Sequence, residues 1–241
     1  MATIEPDRTL SELVLEQPGR ARIFEELQLD YCCGGKRSLA ESAAEREVHL
    51  ETLVSALEAA DRASEDGEGE RDWRQASLTE LCDHIVDVHH EFLRRELPRI
   101  AELSTKVAGR HGDTLPSLKE LEIRFEALQE DLIEHIDREE AGVFLLCREL
   151  EGGSGEPLQT VSPQLGMHEA AHEAVGQGLA SLRELAGGYR TEDALCTTHR
   201  VLLESLAELE RDLHRHIHEE NNVLFPRLRE RLGEMQAPVG A

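Results

Sequence analysis

The sequence is poor in aromatic residues and in basic ones. Only 3% of its 241 residues are Phe, Trp or Tyr, and 26 Lys and Arg stand against 50 Asp and Glu, for a formal net charge of −24. A chain this acidic is repelled by phosphate backbones and by anionic lipid, so nucleic acid and membrane surfaces are not expected as partners. Its length and its 39% of hydrophobic residues predict a globular protein of one or two domains.

Long apolar runs and a secretory signal are also missing. No apolar run approaches the roughly 20 residues that span a bilayer. Residues 1–7 show neither a basic patch nor an apolar segment, so no signal peptide is predicted. We therefore expect a cytoplasmic protein, in which the five cysteines are reduced thiols rather than a disulfide framework.

The apolar and polar alternation that is typical of strands is absent as well. Helical spacing predicts an all-α fold, with a small N-terminal helical module and an up-down-up-down four-helix bundle. In the module, Ser38 and Glu41 have the spacing of a capping box. The predicted boundaries are 1–61 for the module, 62–72 for an acidic linker and 73–234 for the bundle, with bundle helices near 78–108, 117–150, 163–186 and 191–232.

The sequence has 12 histidines, and two of them belong to a repeated His and Glu motif. His135 and Glu139 recur 81 positions later as His216 and Glu220, within similar stretches of sequence. Residues four apart lie on the same face of a helix, and in both copies that face is apolar. Each His and Glu pair is therefore predicted to point into the core, where both side chains can reach a metal ion.

Two further histidines complete this pattern. His90 precedes His135 by 45 residues and His172 precedes His216 by 44, a spacing that brings all four to one level in antiparallel helices. Four imidazoles and two carboxylates in an apolar core are costly without a partner, and a dinuclear metal site supplies one. The donor set suits iron or manganese, with zinc as an alternative, and its richness in histidine favours a haemerythrin-like di-iron centre.

The expected centre holds two iron ions with an oxo or hydroxo bridge. Glu139 and Glu220 are predicted to bridge the ions, and the four histidines to complete the coordination. His168, one turn before His172, is a further candidate ligand. His111 is predicted to lie in a loop about 30 Å from His90 along the helix. The remaining histidines are predicted to lie on solvent-facing surfaces: His49, His84, His89, His199, His214 and His218.

Cys32 and Cys33 are adjacent and lie in a predicted turn before the Ser38 capping box. A position near a helix N-terminus lowers a thiol pKa and favours the thiolate, the form that binds metal or nitric oxide. We therefore expect both cysteines to be chemically active. The alternative is that they are small residues that suit a turn.

Residues 18–24, 29–35 and 38–39 resemble the short N-terminal domain of the repair of iron centres family, and residues 216–226 resemble its C-terminal signature. The resemblance covers nearly the whole chain. It implies a cytoplasmic di-iron protein that repairs iron–sulfur clusters damaged by nitric oxide or oxidants. Carried over by position, the family's metal ligands fall on the six residues chosen above. Ala171 stands where the family commonly has Glu.

The predicted function is repair of iron–sulfur clusters by iron donation or by handling of nitric oxide, with Cys32 and Cys33 as a relay for either. Damaged iron–sulfur proteins and NO or O₂ are the expected partners, and the chain is expected to be a monomer or a dimer. Enzymatic activity, as NO reduction or iron transfer, stays open. The alternatives are an O₂ or NO carrier or sensor without repair activity, and a structural module with a vestigial site.

Overall fold

The computed structural model describes residues 4–64, 72–153 and 158–236. Within these ranges the regular structure is helical, apart from an isolated antiparallel bridge between Thr9 and Ser38, which confirms the predicted all-α class. The chain divides into two compact units. The first unit comprises Met1–Ser77 and His214–Pro226, and the second comprises Leu78–Leu213 and Arg227–Ala241.

The first unit begins with short helices around an apolar core. Thr9 and Ser38 each start a helix with a complete capping box, so the predicted pairing of Ser38 with Glu41 is confirmed. The core includes Phe24 and Leu57, both fully buried. The helices are α1 (Leu10–Glu16), α2 (Ala21–Glu26), α3 (Leu39–Glu45) and α4 (Leu50–Ser64), with a 3₁₀ turn (Pro18–Arg20) before α2.

A buried ion pair joins the 3₁₀ turn to α4. Arg20 is 3% exposed, and its Nε and Nη2 atoms donate to the two carboxylate oxygens of Asp61 at 2.8 and 2.6 Å. Such a bidentate pair fixes both position and angle. Of the predicted linker 62–72, residues 62–64 end α4 and residues 65–71 lie outside the described residues.

The second unit is a helical bundle in which α6 packs on α7, α7 on α9 and α5 on α8. Among the described residues, no helix has the length and apolar composition needed to cross a membrane. The first helical stretch consists of α5 (Leu78–Ile85), a π-helix (Val86–His90) and α6 (Glu91–His111), and the second consists of α7 (Ser117–Ala141) and α8 (Val143–Glu151). The third is α9 (Leu158–Leu185), and the last consists of α10 (Thr197–Glu219), a π-helix (Glu220–Leu224) and α11 (Phe225–Gln236). Residues His214–Pro226 of the last stretch belong to the first unit.

The structure refines two predicted helices. The second stretch is interrupted at Gly142, whose φ of −118° and ψ of −92° are not helical. The last stretch begins at Thr197 instead of 191, because a separate 3₁₀ turn (Thr191–Asp193) precedes it. Gly187 and Gly188 have φ values of +63° and +73°, the left-handed conformation that glycine adopts at low cost, so the predicted break at these residues is confirmed.

Candidate metal centre

Glu139 lies at the centre of a cluster of histidines in the second unit. Its Oε1 atom is 2.9 Å from His135 Nε2, 3.3 Å from His168 Nδ1 and 3.5 Å from His172 Nε2, and its Oε2 atom is 3.5 Å from His90 Nε2. Of the four ligands predicted in this unit, the three histidines surround Glu139, and the further candidate His168 joins them. The carboxylate itself is fully buried.

Helix α7 carries two residues of the cluster, including the central Glu139. His135 and Glu139 are one turn apart on its buried face, together with Leu128 and Leu132. Burial raises the pKa of the Glu139 carboxyl, but hydrogen bonds from the surrounding histidines, His135 first, outweigh it and hold the pKa well below its ordinary value. The carboxylate is therefore in its charged form, which is the form that binds a metal.

Two histidine nitrogen atoms of this cluster lie close together. His135 Nε2 and His172 Nε2 lie 3.0 Å apart, beside the same carboxylate oxygen. His135 is 4% exposed and His172 is 1% exposed, so water does not surround these polar atoms. Imidazole nitrogens and a carboxylate that converge in a dry core form a donor set for iron, manganese or zinc. The residues therefore fit a bound metal ion.

A polar network holds the Nδ1 side of the His90 ring. Its Nδ1 atom is 2.8 Å from Oε1 of Glu140, which also accepts a 2.7 Å hydrogen bond from Arg94 Nη1. Its ring stacks on Phe144 with the centroids 5.4 Å apart and an interplanar angle of 13°. These contacts leave Nε2 facing Glu139, the arrangement that metal-ligating histidines use, with the other ring nitrogen on a carboxylate.

The second copy of the repeat lies in the first unit. His216 Nε2 is 3.4 Å from Glu220 Oε1, and the two side chains are 1% and 0% exposed. Glu220 begins the π-helix that follows α10. Irregular turns of this type are frequent at functional sites. The pair has the same spacing and burial as His135 and Glu139, as the internal repeat predicts.

His111 ends α6 and is not in a loop, contrary to the prediction. Its Nε2 atom lies 3.3 Å from the Sγ atom of Cys196. His111 follows His90 by 21 residues along nearly continuous helix, which is roughly 30 Å. The structure therefore brings His111 to a cysteine and not to the cluster around Glu139.

Three histidines predicted to face solvent are buried: His89 is 3% exposed, and His199 and His218 are 5% exposed. The prediction was wrong for each of them. In the π-helix (Val86–His90) the backbone bonds run from i to i+5 instead of i to i+4, which shifts the register of the helix face, and His89 and His90 are both buried. His199 accepts a hydrogen bond from the backbone N–H of Leu195 before α10. Sequence periodicity assumes regular α-helix and misses both effects.

The Cys32 and Cys33 loop is organised by Asp30. The Asp30 carboxylate accepts hydrogen bonds from the backbone N–H groups of Cys32, Cys33 and Gly34 at 2.9 to 3.1 Å. Cys32 is 5% exposed, and its pKa lies well above the ordinary value because of the hydrogen bond with Cys33, burial and the nearby Asp30 charge. The expectation of a lowered thiol pKa is therefore wrong for Cys32. No helix N-terminus offsets these effects, since α3 begins only at Leu39.

Within the first unit, this loop is anchored on the segment that carries His216 and Glu220. Asn222 Nδ2 donates to the backbone carbonyl of Cys32 at 3.1 Å, and His218 Nδ1 donates to that of Tyr31 at 3.3 Å. Burial lowers the pKa of His218 to about 4, so its ring is neutral at physiological pH. Sequence reasoning missed this anchor. In the sequence, His218 and Asn222 lie one turn apart in a largely polar segment, so nothing local distinguishes them.

Comparisons with known proteins agree with this architecture. Residues 6–61 match a domain of unknown function (DUF542), and residues 81–228 match the hemerythrin HHE cation binding domain. The second match includes all six predicted ligands.

The chain is also similar over most of its length to proteins named iron-sulfur cluster repair protein YtfE. The identity is 31% with that of Pectobacterium atrosepticum and 34% with those of Dickeya chrysanthemi and Escherichia coli O17:K52:H18. Each alignment covers 92% of this chain and 96% of the relative. The chain therefore belongs to the YtfE family of iron–sulfur cluster repair proteins, with a DUF542 domain followed by a hemerythrin HHE domain.

Proposed function

We propose that this protein repairs iron–sulfur clusters damaged by nitric oxide or oxidants, and that it does so with iron held at the His and Glu cluster. The observation that carries the proposal is the fully buried Glu139 carboxylate, with four histidine nitrogens within 3.5 Å of it. The similarity to repair proteins over 92% of the chain supports the type of activity. We place this activity in the cytoplasm, where free thiols such as those of Cys32 and Cys33 persist.

In the proposed centre, two iron ions share Glu139 and Glu220. The internal repeat supports this sharing, because the pair His135 and Glu139 and the pair His216 and Glu220 have the same spacing and are both buried. Bound iron supplies an exchangeable ion and a position at which NO or O₂ binds.

The protein's own residues hold this site in place. Glu140 keeps the His90 ring oriented through Nδ1, and Arg94 fixes Glu140 in turn. Phe144, which stacks on the His90 ring, and the buried leucines of α7 help to exclude water from the Glu139 carboxylate. An oriented donor set raises the affinity of the site for a metal ion.

Cys32 and Cys33 are proposed to relay iron or nitric oxide between the centre and a damaged client. The hydrogen bond from Asn222 to Cys32 supports this role, because it fixes the loop on the segment that also carries His216 and Glu220. The high pKa of Cys32 keeps this thiol protonated. The relay is therefore proposed to begin with the loop bound to the segment of His216 and Glu220. Cys33 is half buried, so solvent and a client reach it before the buried Cys32.

The test is repair of a 4Fe–4S protein after treatment with nitric oxide. The iron-loaded chain is expected to restore the client's cluster, and Glu139→Gln is expected to abolish the effect. The exposed Glu134→Gln, one turn before Arg138 on the same helix, is the matched control and keeps full repair. Equal repair by Glu139→Gln and by the wild type would contradict the proposal.

The double variant Cys32→Ala and Cys33→Ala separates repair from simple ligand binding. Loss of repair with retained iron supports the relay. Retained repair refutes the relay and leaves iron donation from the centre. Binding of NO or O₂ without any repair by the wild-type chain would identify a carrier or sensor instead.

A further inference from the structure

An exposed cysteine and a histidine meet in the second unit, away from the cluster around Glu139. The Nε2 atom of His111, at the end of α6, lies 3.3 Å from the Sγ atom of Cys196, and both residues belong to the second unit. Of the five cysteines, Cys196 is the one whose side chain is exposed. An imidazole at this distance can accept the thiol proton, which leaves the thiolate, the nucleophilic form of cysteine.

The start of α10 contacts the same sulfur atom. Cys196 directly precedes α10, and its carbonyl accepts a hydrogen bond from the backbone N–H of Arg200 at 3.0 Å. Its Sγ atom accepts a hydrogen bond from the backbone N–H of His199 at 3.4 Å, as the side chain of an N-cap residue does. The N-terminal end of this 23-residue helix favours negative charge. The sulfur therefore lies between an imidazole and a helix N-terminus, the surroundings that are typical of reactive cysteines.

A cavity of about 500 Å³ lies next to this cysteine in the second unit. Asp193 and His199 line it, three residues before and three residues after Cys196. His199 is 5% exposed, and its Nδ1 atom accepts a hydrogen bond from the backbone N–H of Leu195. The ring proton is therefore on Nε2, and the described residues provide no acceptor for it. A buried donor without a partner is costly, and a ligand with an acceptor group would satisfy it.

The lining of the cavity indicates the class of ligand. Arg124 and Arg190 provide positive charge, Glu184 and Asp193 provide negative charge, and several leucines provide apolar surface. The two arginines pair with exposed carboxylates, and exposed pairs of this kind contribute little energy, so a ligand can replace them. A small molecule that carries both carboxylate and ammonium groups complements this lining. Peptide thiols and their disulfides have this composition.

We propose that Cys196 is a site of reversible S-thiolation by a small zwitterionic disulfide, with His111 as the base that accepts its proton. The Cys196 sulfur attacks one sulfur of the disulfide, and the old S–S bond breaks as the new one forms. The leaving thiolate takes up the proton that His111 accepted. The Cys196 sulfur is oxidised and the leaving sulfur is reduced, so the disulfide itself is the oxidant. The attached thiol occupies the cavity, where it accepts the hydrogen bond from His199. This modification does not depend on the proposed repair activity.

The test treats the full-length, iron-loaded protein with glutathione disulfide under anaerobic conditions and locates the adduct by mass spectrometry of peptides. We expect Cys196 to be modified at least about tenfold faster than the half-buried Cys33. His111→Gln removes the base and is expected to slow the reaction of Cys196 at least about tenfold. A purely structural role of His111 gives the opposite result, because a loosened site exposes Cys196 further and speeds its reaction.

A second variant tests the class of ligand. Arg190→Gln is expected to slow the reaction of Cys196 with glutathione disulfide about threefold. The same variant is expected to react with the uncharged 2-hydroxyethyl disulfide as the wild type does. An unchanged rate with glutathione disulfide in Arg190→Gln would overturn the assignment of a zwitterionic ligand.

Two controls accompany these variants. His49→Gln, which changes an exposed histidine in the first unit, is expected to leave the rate at Cys196 unchanged. In urea, the unfolded His111→Gln and wild-type chains are expected to react equally, because the contact between His111 and Cys196 exists only in the folded unit. Equal rates for these two proteins in the folded state, or faster modification of Cys33 than of Cys196, would overturn the proposal.

Discussion

The side-chain amide of Asn222 donates a 3.1 Å hydrogen bond to the backbone carbonyl of Cys32. This bond links two motifs that lie 190 residues apart in the sequence. It holds the loop of the two cysteines on the segment of the first unit that carries two predicted iron ligands. In the structure of the first unit, the cysteine loop is therefore bound to this segment.

Replacement of Asn222 with Ala should loosen the cysteine loop. A hydrogen bond of this kind contributes about 1 kcal/mol, which corresponds to roughly a fivefold change in the population of the open loop. Cys32 is buried, so its alkylation rate in the folded protein measures that opening. We expect alkylation of Cys32 to be several times faster in Asn222→Ala. Glu208→Ala, an exposed change on α10, is the control, and equal rates in Asn222→Ala and the wild type would disprove the anchor.

The Glu140 network should control iron affinity without supplying a ligand. Glu140→Gln removes the negative charge that faces His90 Nδ1 and Arg94 Nη1. Losses of this type lower metal affinity about 10- to 100-fold. Competition with a chelator measures the effect, with Glu134→Gln as a matched exposed control. Iron retention equal to that of the wild type would show that Glu140 has no role in orienting His90.

His168 should change the spectrum of the centre more than its iron content. Its Nδ1 atom lies 3.3 Å from Glu139 Oε1, within the same cluster as His135 and His172. If His168 ligates one iron, His168→Ala leaves one altered and one unchanged Mössbauer doublet. A spectrum identical to that of the wild type would place His168 outside the coordination sphere and assign it to hydrogen bonding with Glu139.

The capping box at Ser38 should stabilise the first unit measurably. Ser38→Ala removes the hydrogen bond from the backbone N–H of Glu41 and is expected to cost about 1 kcal/mol. Ser55→Ala, a change at an exposed position within α4, is expected to have an effect below about 0.5 kcal/mol. Trp73 is the only tryptophan and lies in the first unit, so its fluorescence follows unfolding of that unit in urea. Equal stability of the two variants would contradict the capping role.

The local periodicity of apolar residues predicts the helices and the central residues of the site. His135 and Glu139 share an apolar face at a spacing of four, and regular helix delivers both to the core. His172 and His90 follow from the nearly equal spacing of the two halves, 45 and 44 residues. These relationships depend on helix geometry alone, which a sequence pattern reports directly.

Departures from regular helix and non-local contacts could not be predicted in this way. His89 was expected on the surface, but the π-helix (Val86–His90) turns it inward to Asp212, 123 residues away. The pKa of Cys32 depends on its burial and on the approach of Cys33 and Asp30, which only the folded loop defines. Asn222 became significant only when the structure placed Cys32 beside it.

We propose that the six predicted His and Glu ligands in this chain's two halves hold a di-iron centre. Iron content and Mössbauer spectroscopy of the reconstituted full-length protein, compared with Glu139→Gln, test it most directly. We expect about two iron ions per chain in a spin-coupled pair for the wild type, and loss of the coupled pair in the variant. One iron or less per wild-type chain, or an unchanged coupled pair in Glu139→Gln, would contradict it.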